Sequence, residues 1–173
     1  MPTATATARS VLADLERMGT AQNRKVYARH GVGPAMFGVS YANLGKLQKA
    51  IKQDQEIAVA LWDSGNHDAR VLATMVADPS AMTLGQLNAW ARELDNYVLT
   101  GAFASLVART PHRRKKAEQW MKSAGEWTGR TGWLVATSMA RDDDLPNDYF
   151  IDLLGTVEAE IHNRKNRVRD AMN

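Results

Sequence analysis

Two short runs of cations, Arg113, Arg114, Lys115 and Lys116, then Arg164, Lys165, Arg167 and Arg169, are the side chains of this sequence best suited to chemistry, and that chemistry is contact with an anion. The first run follows Pro111 and opens a helix, where positive charge opposes the helix dipole, so a reason for it is needed. Phosphate contact is one reading and a solvated edge beside the proline is the other. The second run alternates across a break and a helix start, which puts at least two of its cations on one face. Other chemistries are poorly supplied. There is no cysteine, hence no disulfide, thiolate nucleophile or cysteine-type zinc site, and His30, His67, His112 and His162 form no close pair at ligand spacing. No metal and no other cofactor is expected. Glu158 and Glu160 stand two apart on a helix and point in different directions, so they make no paired-carboxylate site. His67, next to the capping residue Asn66, reads as a surface or capping side chain. Gly31, Gly33 and Gly38 precede no strand-helix unit and so form no phosphate loop.

The chain has 173 residues, 45% of them hydrophobic and 24% charged, which suits one globular domain with a buried core. The net charge of +3 is modest, but basic residues crowd the last third, interrupted by Asp142, Asp143 and Asp144. A polyanion would find that region attractive. No apolar run approaches the roughly 18 residues needed to span a bilayer, and Met1 to Ala8 lacks the charged start and apolar centre of a signal peptide. A cytoplasmic protein without a membrane partner is expected.

The elements that must position these cations are helical throughout. Apolar residues recur at helical spacing over Ala4 to Met18, Tyr41 to Lys52, Gln55 to Asp63, Asp68 to Ala77, Leu84 to Leu94, Asp95 to Ala108, Pro111 to Ser123, Glu126 to Ala140 and Asp148 to Ile161. Thr20, Ser40, Asn66 and Thr83 read as caps, and the Gly- and Pro-rich stretch Gly31 to Val39 as a loop pinned by Met36, Phe37 and Val39. In Asp148 to Ile161 the inward stripe is Phe150, Ile151, Leu154 and Val157. Breaks recur about every 30 to 40 residues and no strand pattern occurs. The expected fold is all-α, an α-solenoid of HEAT-like helical hairpins in a single domain, with N-terminal helices to residue 30 and repeats over residues 40 to 173; a compact bundle is the alternative. The last helix, from near Arg167, is barely a turn and a half, whereas an array normally ends in a polar cap over its last core layer. Either a protein partner covers that end or the chain is a shortened member of a longer family.

Several segments together resemble the DNA alkylation repair family, the HEAT-like repeat alkylpurine DNA glycosylases. They are FGVSYANLGKL from Phe37, ALWDSGNHDARVLATMVADP from Ala60, LDNYVLTGAFASLVARTP from Leu94, EQWMKSAGEWTGRTGW from Glu118 and HNRKNRVRDAMN from His162. The resemblance implies a curved solenoid whose concave basic face holds duplex DNA. It further implies that active members cleave the N-glycosidic bond of N3- or N7-alkylated purines without a metal and without flipping the base. In such chemistry a carboxylate beside aromatic faces stabilises the oxocarbenium-like sugar. The family's Trp-Asp-x-x-Asp pattern places Tyr97 at the tryptophan, Val98 at the first aspartate and Gly101 at the catalytic carboxylate; a shifted match puts Asp95 there instead. Both alignments stay open, giving Asp95 and Tyr97 as the catalytic candidates. The resemblance implies a DNA-backbone contact for Arg130, whose planar fork suits phosphate, with Trp127 beside it. Trp120, Trp127 and Trp133 at helical spacing read foremost as core. The candidate DNA-binding set is completed by Arg113, Arg114, Lys115, Arg164, Lys165, Arg167 and Arg169. Two functions follow: a DNA-binding repeat protein with alkylpurine glycosylase activity, or a noncatalytic scaffold for DNA structure or a protein.

Overall fold

The computed structural model describes residues 7–140 and 145–173, and every described element is helical. The chain forms two compact units, Met1–Met82 and Thr83–Asn173.

The first unit holds α1 (Ala8–Met18), α2 (Ala21–Arg29), α3 (Tyr41–Ile51), α4 (Gln55–Asp63) and α5 (His67–Val76). Each starts on a side chain that accepts a backbone N–H of the first turn: Thr7, Thr20, Ser40, Asp54 and Asn66. Such caps satisfy donors that the helix itself leaves orphaned. α5 is the centre, with eight of its ten residues buried. α4 packs against it and α1 and α3 contact it too, around a core that includes Leu15, Leu44, Leu61, Trp62 and Leu72.

The loop between α2 and α3 is held by Asp68, a fully buried residue of α5. Its Oδ2 accepts the N–H groups of Phe37 (2.6 Å) and Gly38 (3.0 Å), and its Oδ1 that of Val39 (2.8 Å). The Gly38 carbonyl in turn accepts Thr20 N–H and Asn23 Nδ2, each at 3.0 Å. Gly38 is required here: its φ is +80° and a Cβ would stand 2.7 Å from the Thr20 carbonyl oxygen. His67, read as a surface or capping side chain, is instead buried; its backbone N–H donates to Ala35 and its ring meets the edge of Tyr27. The loop has folded back over the start of α5 and covers it.

The second unit holds α6 (Leu84–Arg92), α7 (Tyr97–Val107), α8 (Arg113–Trp120), α9 (Glu126–Met139), α10 (Asn147–Glu160), a 3-10 turn (Ile161–Asn163) and α11 (Asn166–Met172). α9 is its hub, contacting α6, α7, α8 and α11. Small residues permit this: a Cβ on Gly132 would lie 2.3 Å from the Met121 nitrogen, and one on Gly129 3.2 Å from Val168. Trp90, Phe103 and Trp120 form a buried aromatic row with centroids 6.4 and 5.9 Å apart. Burial of a side chain such as Phe103 stabilises the unit by about 1.5–3 kcal/mol.

Two expectations are corrected by this unit. α7 begins at Tyr97, because the Asn96 side chain accepts Leu99 N–H at 2.9 Å and caps the helix there; Asp95 precedes the helix. On α10, Ile151 and Leu154 do not face inward but are 61% and 67% exposed. The α10 stripe that packs is instead Phe150, Leu153 and Val157, all partly covered. The triplet Asp142 to Asp144 lies outside the described residues.

Candidate nucleic-acid interface

All sequence-derived site residues fall in the second unit, and its helices sort them into groups. Asp95 is exposed just before the α7 cap, and its Oδ1 accepts Asn96 Nδ2 at 2.7 Å. Tyr97, two residues on, is half-buried, and the Arg167 guanidinium of α11 lies over its ring at 4.5 Å. Stacking of this kind attracts a cation to the negative ring face and leaves the N–H edge of the arginine usable. Arg167 is fixed from its backbone as well, donating N–H to Glu126 Oε1 at 2.9 Å. Gly101, one turn beyond Tyr97, has open space where a Cβ would stand.

Arg130 and Arg164 are brought close to this cluster but are already engaged. Arg130 Nη1 donates to the Arg167 carbonyl at 2.9 Å and to the carboxylate of Asp170, and its side chain is only 12% exposed. Arg164 Nη2 donates to the Met121 carbonyl and, at 3.2 Å, to that of Ser123, while Nη1 reaches Glu160. These carbonyls sit at the end of α8, where the helix leaves acceptors unpaired and a cation is favoured. Trp127, partly covered in the first turn of α9, gives its carbonyl to Thr131. Trp120 and Trp133 are core residues, as their spacing suggested.

The α8 run divides sharply. Arg114 pairs with Glu118 at 2.9 Å and stacks on Tyr149 of α10 at 5.3 Å, Arg113 is partly covered, and Lys115 is exposed. Lys116, by contrast, is 2% exposed: its ammonium donates to Asn88 Oδ1 (2.6 Å) and Gln119 Oε1 (3.0 Å) and lies 5.2 Å from the Trp120 ring centre. Burial, and secondarily the charge of Lys115, lowers its pKa from the ordinary lysine value. The sequence reading of these four cations as one solvated or phosphate-facing run therefore does not extend to Lys116. The side chains of Lys115, Lys165 and Arg169 are exposed and make no hydrogen bond or ion pair among the described residues. Arg167 and Arg169 also line a polar surface depression of about 260 Å³ with Asn166, Asp170 and Asn173.

The partners of Arg130 and Lys116 were missed from sequence, as was Asp68. Asp68 alone left a trace, an acidic residue in the first turn of a capped helix. Among the described residues no three His, Cys, Asp or Glu side chains converge as a metal site would require, and no helix is long and apolar enough to cross a membrane.

An uncharacterized protein of Listeria innocua is 25% identical over 167 residues, spanning 92% of this chain and 72% of its own length. An uncharacterized protein of Listeria monocytogenes matches with the same identity and coverage. A solved structure is similar with a TM-score of 0.91 and 27% identity, over 96% of this chain and 73% of that one. It is described as belonging to a new family of proteins related to the HEAT-like repeat DNA glycosylases with affinity for branched DNA structures. The all-α architecture of HEAT-like helical hairpins is thus shared with that protein. The DNA alkylation repair enzyme family matches over residues 11–173, nearly the whole sequence, and the chain belongs to that family.

Proposed function

We infer that this chain binds DNA through the cations of its second unit and recognises DNA structure without excising a base. The observation that carries this reading is on α7: from Tyr97 to Val107 it contains no carboxylate, and the Tyr97 ring face is covered by Arg167. Stabilising an oxocarbenium-like sugar needs a negative group held beside it, so a bare α7 favours binding over bond cleavage. Phosphates would be met first by Lys115, Lys165 and Arg169, with Arg113, Arg114 and the exposed edge of Arg167 beside them. Arg130 and Arg164 would act through α11, fixing the cations it carries, and Trp127 would support Arg130 from the same helix. The affinity of the similar solved protein for branched DNA supports a structural rather than a sequence-specific ligand. A cytoplasmic setting fits such a partner.

Excision of N3- or N7-alkylated purines is the second reading, and a single observation favours it: Asp95 offers an exposed carboxylate two residues before Tyr97. In that case Asp95 would stabilise the sugar cation and Tyr97 would supply an aromatic face, with duplex DNA as substrate.

Titrating a four-way junction and a duplex of the same base content separates these readings. The binding proposal requires tighter binding to the junction and a fall in log K with log salt; equal, salt-insensitive weak binding to both would overturn it. Release of free 7-methylguanine from methylated duplex above the buffer rate, abolished by Asp95→Asn, would instead establish the second.

A further inference from the structure

α10 differs from every other helix of its unit in lacking a single buried residue. Its packed side forms one wall of an apolar groove of about 400 Å³, closed by Trp133, Ala136 and Thr137 of α9, by Ala140 just after it and by Met172 of α11. Leu154 lines the groove and is largely exposed, and Ile151 stands three residues before it, likewise exposed, so the apolar surface continues out of the groove. Contiguous apolar surface of this sort marks an interaction site more often than do scattered single residues. Trp133 adds a polar observation. It is buried and lines the groove, yet its indole Nε1 has no acceptor among the described residues. A buried donor left without a partner is costly, which marks the packing around the groove as incomplete.

Charge identifies the class of partner. α10 carries Asp148, Asp152 and Glu158, all exposed, besides Glu160, which Arg164 already pairs, and it has no lysine, arginine or histidine. A nucleic acid would be repelled by this surface, and the chain as a whole is basic. We propose that the groove between α9, α10 and α11, which none of the DNA-binding cations lines, is a docking site for a basic amphipathic helix of a protein partner. An apolar stripe at i, i+3, i+4 and i+7 would fill the groove beside Leu154, with lysines or arginines on its flanks facing the α10 carboxylates.

The test uses two fluorescein-labelled helical peptides of about 18 residues with the same leucine stripe, one flanked by lysines and one by glutamates. Polarisation is measured against the whole chain at roughly 50 mM salt, where surface charge is weakly screened. Because the protein is net positive, non-specific attraction favours the acidic peptide; the proposal requires the basic peptide to bind about tenfold or more tighter. Leu154→Lys and Ile151→Lys alter exposed side chains and leave the core intact, so each is expected to retain the helical circular dichroism while weakening the basic peptide about tenfold. Equal binding of the two peptides, or unchanged binding to both variants, overturns the proposal. So does competition by four-way junction DNA, which would give the groove to DNA. Sedimentation showing a wild-type dimer that Leu154→Lys dissolves would assign it to a second copy and equally end the proposal.

Discussion

In the first unit a buried carboxylate, Asp68, gathers the N–H groups of residues 37 to 39, whereas in the second two arginines, Arg130 and Arg164, reach out to backbone carbonyls. Asp68 and Arg164 each join irregular backbone to a helix, while Arg130 ties α9 to α11, and for the first two the sign of the charge follows from what the backbone lacks. The loop before α3 turns its donors inward and needs an anion. The end of α8 presents unpaired acceptors and needs a cation. On the proposed function the consequence lies in the second unit, where structure and anion binding call on the same residue type. Cations that hold α11 are distinct from the exposed cations on it, although the sequence presents them as one run.

The sharpest way to break this comparison is Asp68→Ala. It strands three inward-facing N–H groups, and a loss of about 3–5 kcal/mol in urea unfolding is expected; Asp68→Asn, which retains one acceptor oxygen, costs less. Gly132→Ala comes next, because its Cβ collides with the backbone of Met121 rather than with a flexible side chain; separation of α8 from α9 by that methyl should cost about 1–3 kcal/mol. Arg164→Ala, measured in the same way, should lose about 1.5–3 kcal/mol and raise amide exchange in α11, while leaving the Asp68 loop protected. No change in α11 exchange would show that the arginine clamp is dispensable.

Lys116 tests the same logic through pH. Its folded pKa is lowered by burial, so at neutral pH both folded and unfolded states carry the proton and the cost of the buried charge is fully present. As pH rises through the folded value toward the ordinary lysine value, the folded state releases its proton first, and wild-type stability should climb relative to Lys116→Met. A flat difference between the two proteins from pH 7 to 10 contradicts this. The smallest stability effect is expected at Lys165→Ala and Arg169→Ala, within about 0.5 kcal/mol of wild type, yet each should lower the salt slope of DNA binding by about one unit. Arg164→Ala should show the opposite balance.

Much of the local structure was legible before any coordinates. Thr20, Ser40, Asn66 and Thr83 cap the helices their side chains announced, because a cap depends only on residues three positions away. The start of α7 was misjudged by the same local rule, since Asn96 rather than Asp95 supplies its cap. Burial and partnership were less legible. Lys116 finds Asn88 twenty-eight residues back, and Arg164 finds Ser123 forty-one residues back. Nothing in the spacing of a basic run distinguishes a cation that will be buried from its solvated neighbour.

The sequence by itself determined an all-helical chain, its breaks and caps, and, through five matching segments, its family, since these rest on short-range periodicity and on residue identity. Only the tertiary structure decided which arginines are engaged by carbonyls, that Ile151 and Leu154 face solvent, and that Arg167 stacks on Tyr97. The physical reason is that a charge or an apolar face acquires its role from the group placed against it, and packing between helices far apart in sequence chooses that group.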